Sequence, residues 1–414
     1  MGSLAARGVG IAAQVLLLML SARSSSSEAV GAFSLYATWL LFAAAVIDLG
    51  AAQYLLRESS VVLKSGGDPT AALLGTMALT GLAWLVLMAA AVAAVRMPFA
   101  VPARYAGIAL FAAGSALPAT WLSVLGQALR SYARPSQSML LLFAAAPLAS
   151  IVIIGVCLQQ GVRLVWQVLA AANLAGLCIA MLTALCLCLH ARPGAKAGVA
   201  PGPRVRMPRL ADLTGQYYAS LLTVAFVALP SFVLPVLVSV GEIGLFYVAL
   251  RITTLLASVL DAVAGIYAPR VAACFSVGDL AGVREEFRRS LRITRLSGVV
   301  LGMVLLGLAP QLLALFGEQY RDAAELLRLQ MLGRVVQLFT GITSNVLWMI
   351  GQPLLEGSLS IAAAGLTIFC AGLSFATPAV VVSVAVSLGH AFKNGAQFFL
   401  LQRIFRRLPR ARQQ

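Results

Sequence analysis

Apolar runs long enough to cross the ~30 Å hydrocarbon core of a bilayer recur twelve times along this chain. They fall at 4–22, 31–55, 71–95, 105–125, 136–158 and 164–190, and again at 212–238, 243–268, 291–313, 323–350, 355–375 and 378–402. Twelve helices of ~22 residues take up most of the chain and leave no room for a sizeable soluble domain. The composition agrees: 61% of the 414 residues are hydrophobic and 11% are charged, against roughly 45–50% and about 25% in soluble domains. With a mean hydropathy of +0.94, a soluble enzyme, a disordered protein and a fibrous one are excluded. The expectation is an all-α polytopic membrane protein of about twelve transmembrane helices. In the first run, Ser21-Ala22-Arg23 mimics a signal-peptide cleavage site, but polar Gln14 interrupts the apolar stretch and the run reads as a helix.

Charge orients these helices. The 30 Lys and Arg residues against 14 Asp and Glu give a net charge of +16. With the N-terminus inside, 21 basic residues fall on the even side, in its loops, ends and run margins, 6 on the opposite side, and 3 remain deep within runs: Arg251, Arg334 and Lys393. The positive-inside rule then expects both termini in the cytoplasm and accounts for the basicity without a nucleic-acid partner. A connector at 191–211, rich in Pro, Gly and basic residues, separates an N-terminal lobe (1–190) from a C-terminal lobe (212–403), and 404–414 forms a basic tail. Segment 276–295 reads as an amphipathic helix on the membrane surface, with Asp279 near its start and Arg288, Arg289, Arg292 and Arg295 towards its end. The six cysteines lack metal-site spacing and read as small hydrophobes without a disulfide framework.

The lobes repeat. Sliding 31–57 by 213 positions onto 244–270 matches 8 of 27 residues, including Gly31/Gly244, Phe33/Phe246, Asp48/Asp261, Tyr54/Tyr267 and Arg57/Arg270. Asp48 and Asp261 carry the most weight, because acids inside apolar runs are rare. Six runs separate the copies, so both point the same way: a parallel pseudo-two-fold repeat of two six-helix lobes. Transporters built from such repeats bind substrate between the halves and alternate access by rocking them.

Polar residues line up on apolar helices. Positions i, i+3, i+7 and i+10 share a face. Run 8 carries Arg251, Thr254, Ser258 and Asp261 in that series. Run 10 carries Arg334, Gln337, Gly341 and Ser344, with Asn345 adjacent. Run 12 carries Ser387, His390, Asn394 and Gln397, with Lys393 at the edge. Run 7 offers Gln216, Ser220 and Thr223, and run 1 offers Arg7 and Gln14. Each charge facing lipid at the bilayer centre costs ~2.5–3.5 kcal/mol on insertion scales. The stripes therefore either hydrogen-bond across a packed bundle or line a hydrated cavity. Three cations against one acid in the second half suit an anionic ligand such as a phosphate. Arg7, near a membrane end, reads either as a snorkelling or lipid-binding residue or as part of that cavity. No P-loop, no His-x-x-x-His pair and no long outer loop is present.

Several weak motifs occur in a telling order: GAFSLYATWLLFAAAVIDLGAAQYLLR, then LGQALRSYARPS, GLFYVALRITTLLASVLDAVAGIYAPR, SVGDLAGVREEFRRSLRITRLSG and LFGEQYRDAAELLRLQMLGRV. In this the chain resembles the polysaccharide-export flippases of the MOP superfamily, the Wzx-type O-antigen transporters, over about 4–403. The resemblance implies a multi-pass protein of the bacterial inner membrane that moves an undecaprenyl-diphosphate-linked oligosaccharide between leaflets. Its partners would be that glycan, membrane lipids and polysaccharide polymerase or assembly proteins. A central cationic cavity is implied, to which Arg251 and Asp261 belong by their place in the eighth run. Arg334 and Lys393 join it on the stripe argument, with Arg7, Gln14, Gln337, Asn345, Asn394 and Gln397. Twelve runs differ from the fourteen-span lipid II flippase branch. No cofactor is expected beyond a coupling ion, H⁺ or Na⁺, for which Asp48, Asp261 and His390 are candidates. A multidrug/cation antiporter of the same superfamily, a membrane-bound polymerase or glycosyltransferase, and a non-transporting assembly scaffold are the alternatives.

Overall fold

The computed structural model describes residues 2–52, 54–55, 59, 69–97, 102–132, 134–191, 210–373 and 376–407. The chain is an all-α polytopic membrane protein. Among the described residues, 11 helices are long and apolar enough to cross a membrane. In the first half these are α1 (Gly2–Ser24), α2 (Ser27–Asp48), α3 (Thr70–Arg96), α4 (Ala103–Ser131), α5 (Pro135–Gln159) and α6 (Trp166–His190). Next come α7 (Leu210–Leu237), α8 (Val240–Ser276) and α9 (Leu280–Gly307). The tenth run forms α10 (Ala324–Thr340) and a short helix, Thr343–Met349; α11 (Pro353–Ala371) and α12 (Pro378–Arg407) complete the chain.

Gly341 explains why eleven helices qualify rather than twelve. Its φ of 70° and ψ of −149° are open essentially to glycine alone. The helix stops there after 17 residues and restarts at Thr343. The carbonyls freed by the break find other donors: Arg295 Nε donates to Phe339 O at 3.0 Å, and Thr343 Oγ1 to Thr340 O at 2.6 Å.

Three other elements differ from the sequence expectation. The amphipathic segment 276–295 is not a separate surface helix; it is continuous with the ninth run as α9, because no proline interrupts the chain before Pro310. Its expected cap is present, with the Gly282 N–H donating to Asp279 Oδ1 at 2.8 Å. Helix α8 outruns its apolar stretch: at 37 residues it is about 55 Å long. The second run is split after Asp48, where Leu49 (φ 50°) and Gly50 (φ 76°) take the left-handed conformation before helix resumes.

Packing separates the chain into Met1–Val224 and Ala225–Gln414, a division that falls within α7. Most of the basic connector, 192–209, and positions 408–414 of the tail lie outside the described residues. Within the first unit α4 is the hub, packing on α2, α3 and α6, while α5 packs on α6. Within the second unit α10 packs on α8, α9 and α12, while α11 packs on α12. The main partners of α4 and of α5 therefore recur six places later, at α10 and α11. The caps repeat too. The Ser26 side chain accepts from Ala29 N–H at the start of α2. Ser239, 213 positions on, forms a reciprocal capping box with Glu242 at the start of α8.

In the first unit, Leu125, Leu129, Leu141, Ala180 and Ala184 form part of a buried cluster among α4, α5 and α6. Buried polar groups there are satisfied across helices: Trp84 Nε1 donates to Ala113 O at 2.9 Å, and Ser138 Oγ to Gly126 O at 2.7 Å. All six cysteines are free.

Candidate functional site

The eighth run keeps its polar face. Arg251 and Asp261 expose their side chains, and Thr254 and Ser258 are half-buried between them. The two hydroxyls donate to carbonyls one turn back, Arg251 O and Leu255 O, each at 2.6 Å. They are satisfied within α8, and Arg251 and Asp261 stand at the two ends of this face. On α10, Arg334 is half-buried and its Nη1 donates to Gln337 Oε1 at 3.0 Å. Asp261 lies within electrostatic range of Arg334. Asn345, beyond the break, is exposed. Among the described residues, neither Arg251 nor Arg334 forms a salt bridge.

The twelfth run behaves differently. His390, Lys393, Asn394 and Gln397 are all buried. His390 lies edge-on to the Phe226 ring at 4.8 Å between centroids, and Lys393 Nζ sits 5.5 Å from the same ring. Asn394 Nδ2 donates to His390 O at 2.8 Å. Both polar atoms of the Gln397 amide are buried without a hydrogen-bond partner among the described residues.

Lys393 finds an acid that the stripe argument omits. Its ammonium is 3.4 Å from Glu356 Oε1, with both side chains under 10% exposed. Ser344 Oγ and Trp348 Nε1 also donate to Glu356. Ser344 and Trp348 are four residues apart, on one face of the short helix after Gly341. Glu356 stands in the first turn of α11, where a helix favours negative charge. The pair thus joins three segments, the broken end of the tenth run, α11 and α12. Glu356 stands one residue inside the run at 355–375, and the sequence analysis assigns it no role. A lysine buried in the facing run was the available clue that an acid must lie opposite. With Lys393 neutralised, the charge on the second-half stripes is Arg251 and Arg334 against Asp261.

In the first unit, Arg7 is half-buried with its guanidinium 5.1 Å from the Phe143 ring centroid, and Gln14 is exposed. Asp48 is half-buried, and the Ala52 N–H donates to its Oδ1 at 3.4 Å. It therefore caps the helical turn that resumes after Gly50. Tyr217 Oη donates to Val46 O at 3.1 Å beside it. Of run 7, Ser220 is exposed and Thr223 Oγ1 donates to Ala219 O; the Gln216 side chain, like Arg57 and Lys64, lies outside the described residues. Among the described residues no cluster of three His, Cys, Asp or Glu side chains is placed to hold a metal ion.

No family model matches the sequence, and no curated protein matches it. Solved structures do. The chain superimposes with a TM-score of 0.74 on an inward-facing multidrug-resistance MATE family transporter of the MOP superfamily, at 15% identity over 95% of this chain and 94% of that one. A MATE crystal structure in complex with MaD5 gives 0.70 at 17% identity, covering 99% and 96%. A MOP-superfamily transporter from Pyrococcus furiosus, described as having a binding pocket of reversed polarity that suggests a different function, gives 0.68 at 16%, covering 98% and 95%. The chain has the fold of these transporters along nearly its whole length.

Proposed function

We propose that this protein is a flippase that carries a polyprenyl-diphosphate-linked oligosaccharide across the bacterial inner membrane by alternating access, with both termini cytoplasmic. The observation that carries the reading is the pair Arg251 and Arg334. Both stand on helices through the apolar layer, and neither has a salt-bridge partner among the described residues. Guanidinium groups in low dielectric recognise phosphate through charge-assisted, bidentate hydrogen bonds. A diphosphate and hydrated sugars cannot cross hydrocarbon unaided. An arginine-lined wet path shelters them while the polyprenyl chain stays in lipid. Resetting the empty carrier requires a driving force, and Asp48, Asp261 and His390 remain the candidates for H⁺ or Na⁺ coupling.

One observation favours a second reading, the multidrug/cation antiporter: solved structures with this fold include multidrug-resistance MATE transporters. Exposed Asp261 would then be the cation ligand.

The test uses liposomes carrying a fluorescent polyprenyl-diphosphate oligosaccharide, with accessible glycan followed over time. Movement by the wild type and not by Arg251→Ala supports the flippase. Immobile glycan under every ion gradient, together with uptake of drug cations that Asp261→Asn abolishes, would replace it by the antiporter.

A further inference from the structure

Helix α9 has one face whose chemistry changes along its length. Positions 288, 292, 295, 299 and 303 recur at helical spacing and fall within about 80° of the helix surface. All five are exposed: Arg288, Arg292 and Arg295 come first, then Val299 and Met303. Leu296, at the edge of the same face, is 69% exposed. The opposite face, with Phe287, Ser290, Thr294 and Leu305, is buried. An open aliphatic surface on a helix through the apolar layer meets acyl chains. The apolar run begins at 291, so Arg288 and Arg292 stand at its edge, where headgroups lie.

Four arginines follow this face, and the outer two are committed. The Arg284 guanidinium lies 5.9 Å from the Phe405 ring centroid on α12. Arg295 Nε donates to Phe339 O at 3.0 Å. Arg289, on the flank, occupies both nearby acids: its Nε is 3.1 Å from Glu285 Oε1 and its Nη1 3.4 Å from Glu286 Oε1. Arg288 and Arg292, between the anchored pair, make no hydrogen bond or ion pair among the described residues. They are one turn apart, so one phosphate can lie between them and accept from both guanidinium forks. From Arg292 to Met303 the helix rises about 16 Å, a length that an acyl chain can follow.

We propose that this face of α9 binds an anionic phospholipid. Arg288 and Arg292 hold the headgroup phosphate, and an acyl chain lies along Val299 and Met303. A soluble phosphate would leave the aliphatic half of the face unused, which favours the lipid. The site does not rest on the flippase reading, because it concerns the lipid around the protein and not the cargo.

Phosphatidylglycerol is titrated into the detergent-purified full chain, and the dissociation constant of the tightest-bound lipid is read by native mass spectrometry. Phosphatidylcholine is titrated in parallel and should bind more weakly. Arg288→Gln/Arg292→Gln should weaken phosphatidylglycerol binding about tenfold or more, since one basic residue at a membrane surface contributes about fivefold. Arg134→Gln/Arg403→Gln removes two exposed arginines from other parts of the chain and should leave the constant near wild type. Arg288→Lys/Arg292→Lys keeps the charge and should lose less than the Gln pair. Glycerol phosphate, a headgroup without acyl chains, should fail to displace the lipid at equal concentration. Equal affinity for the two lipids, or a constant unmoved by the Gln pair, overturns the site. So does an equal loss in the Arg134/Arg403 control, which would mean general charge attraction. A Lys pair as weak as the Gln pair overturns it too, since the loss would then not follow charge. Displacement by glycerol phosphate at equal concentration would replace the lipid by a soluble anion.

Discussion

Lys393→Met breaks the pair on which three segments of the second unit converge. It leaves the Glu356 carboxylate under 10% exposed, with Ser344 and Trp348 as its remaining donors. Removing one partner of a buried ion pair costs about 3–5 kcal/mol, because the surviving charge stays desolvated. Glu356→Gln strands the ammonium instead, with only the Phe226 face nearby, and should cost a similar amount. The double variant Glu356→Gln/Lys393→Met buries no charge at this place. It should be more stable than either single variant, so the two losses should fall short of additive by more than about 3 kcal/mol in a double-mutant cycle. The assay is denaturant titration of the detergent-solubilised protein, followed by tryptophan emission, to which Trp348 beside Glu356 contributes. Single variants that lose less than about 1 kcal/mol, the range of exposed pairs, would refute the buried pair. So would strictly additive effects, which would mean that the two side chains do not act together.

Other residues give sharper functional contrasts. Arg334→Ala should abolish glycan transport while leaving membrane insertion and the unfolding midpoint near wild type; normal export by this variant removes Arg334 from the substrate path. Gly341→Ala forces a Cβ to 2.6 Å from the Leu291 side chain at a φ of 70°, so a destabilisation of about 1–3 kcal/mol is expected in the same titration. An unchanged midpoint would show that the break does not need glycine. Asp48→Ala should lose about 0.5–2 kcal/mol as a cap is removed, whereas Asp48→Asn keeps an acceptor and should be nearly neutral in stability. If Asp48→Asn nevertheless stops transport in sealed vesicles under a pH gradient, Asp48 carries a coupling ion as well as capping a helix. Transport unaffected by that change limits it to the cap.

Much of the fold was legible because a bilayer restricts what apolar sequence can do. Run length alone located the helices, and the 213-residue offset anticipated α2 and α8, which share buried Phe33 and Phe246 and serine caps at matching places. The same alignment concealed a difference. Asp48 and Asp261 match in sequence, yet Leu49 and Gly50 bend the chain after the first, while α8 runs on through the second. Backbone conformation at one residue depends on what the next turn packs against, which periodicity does not record. The stripe on α8 could be read from spacing, with Arg251 and Asp261 exposed at its two ends, whereas that of the tenth run is cut at Gly341, beyond which Ser344 donates to Glu356. The stripe on α12 could not be interpreted in the same way. Spacing shows that His390, Asn394 and Gln397 share a face, but not whether water or another helix meets it. The answer came from Glu356, 37 positions away in the chain. The junction between 276–295 and the ninth run was misread for a related reason. A change from charged to apolar composition marks a change of environment, and a helix can cross that change without stopping.

The break at Gly341 also links charge on one helix to backbone on another. A carbonyl left without its ladder partner in an apolar layer costs several kcal/mol. Here Arg295, fifteen residues into α9, fills that vacancy at Phe339. Withdrawing the arginine would remove that donor, so this side chain ties α9 to the end of α10. A substitution on α9 would therefore be felt at the backbone of a different helix, beside the break in the tenth run.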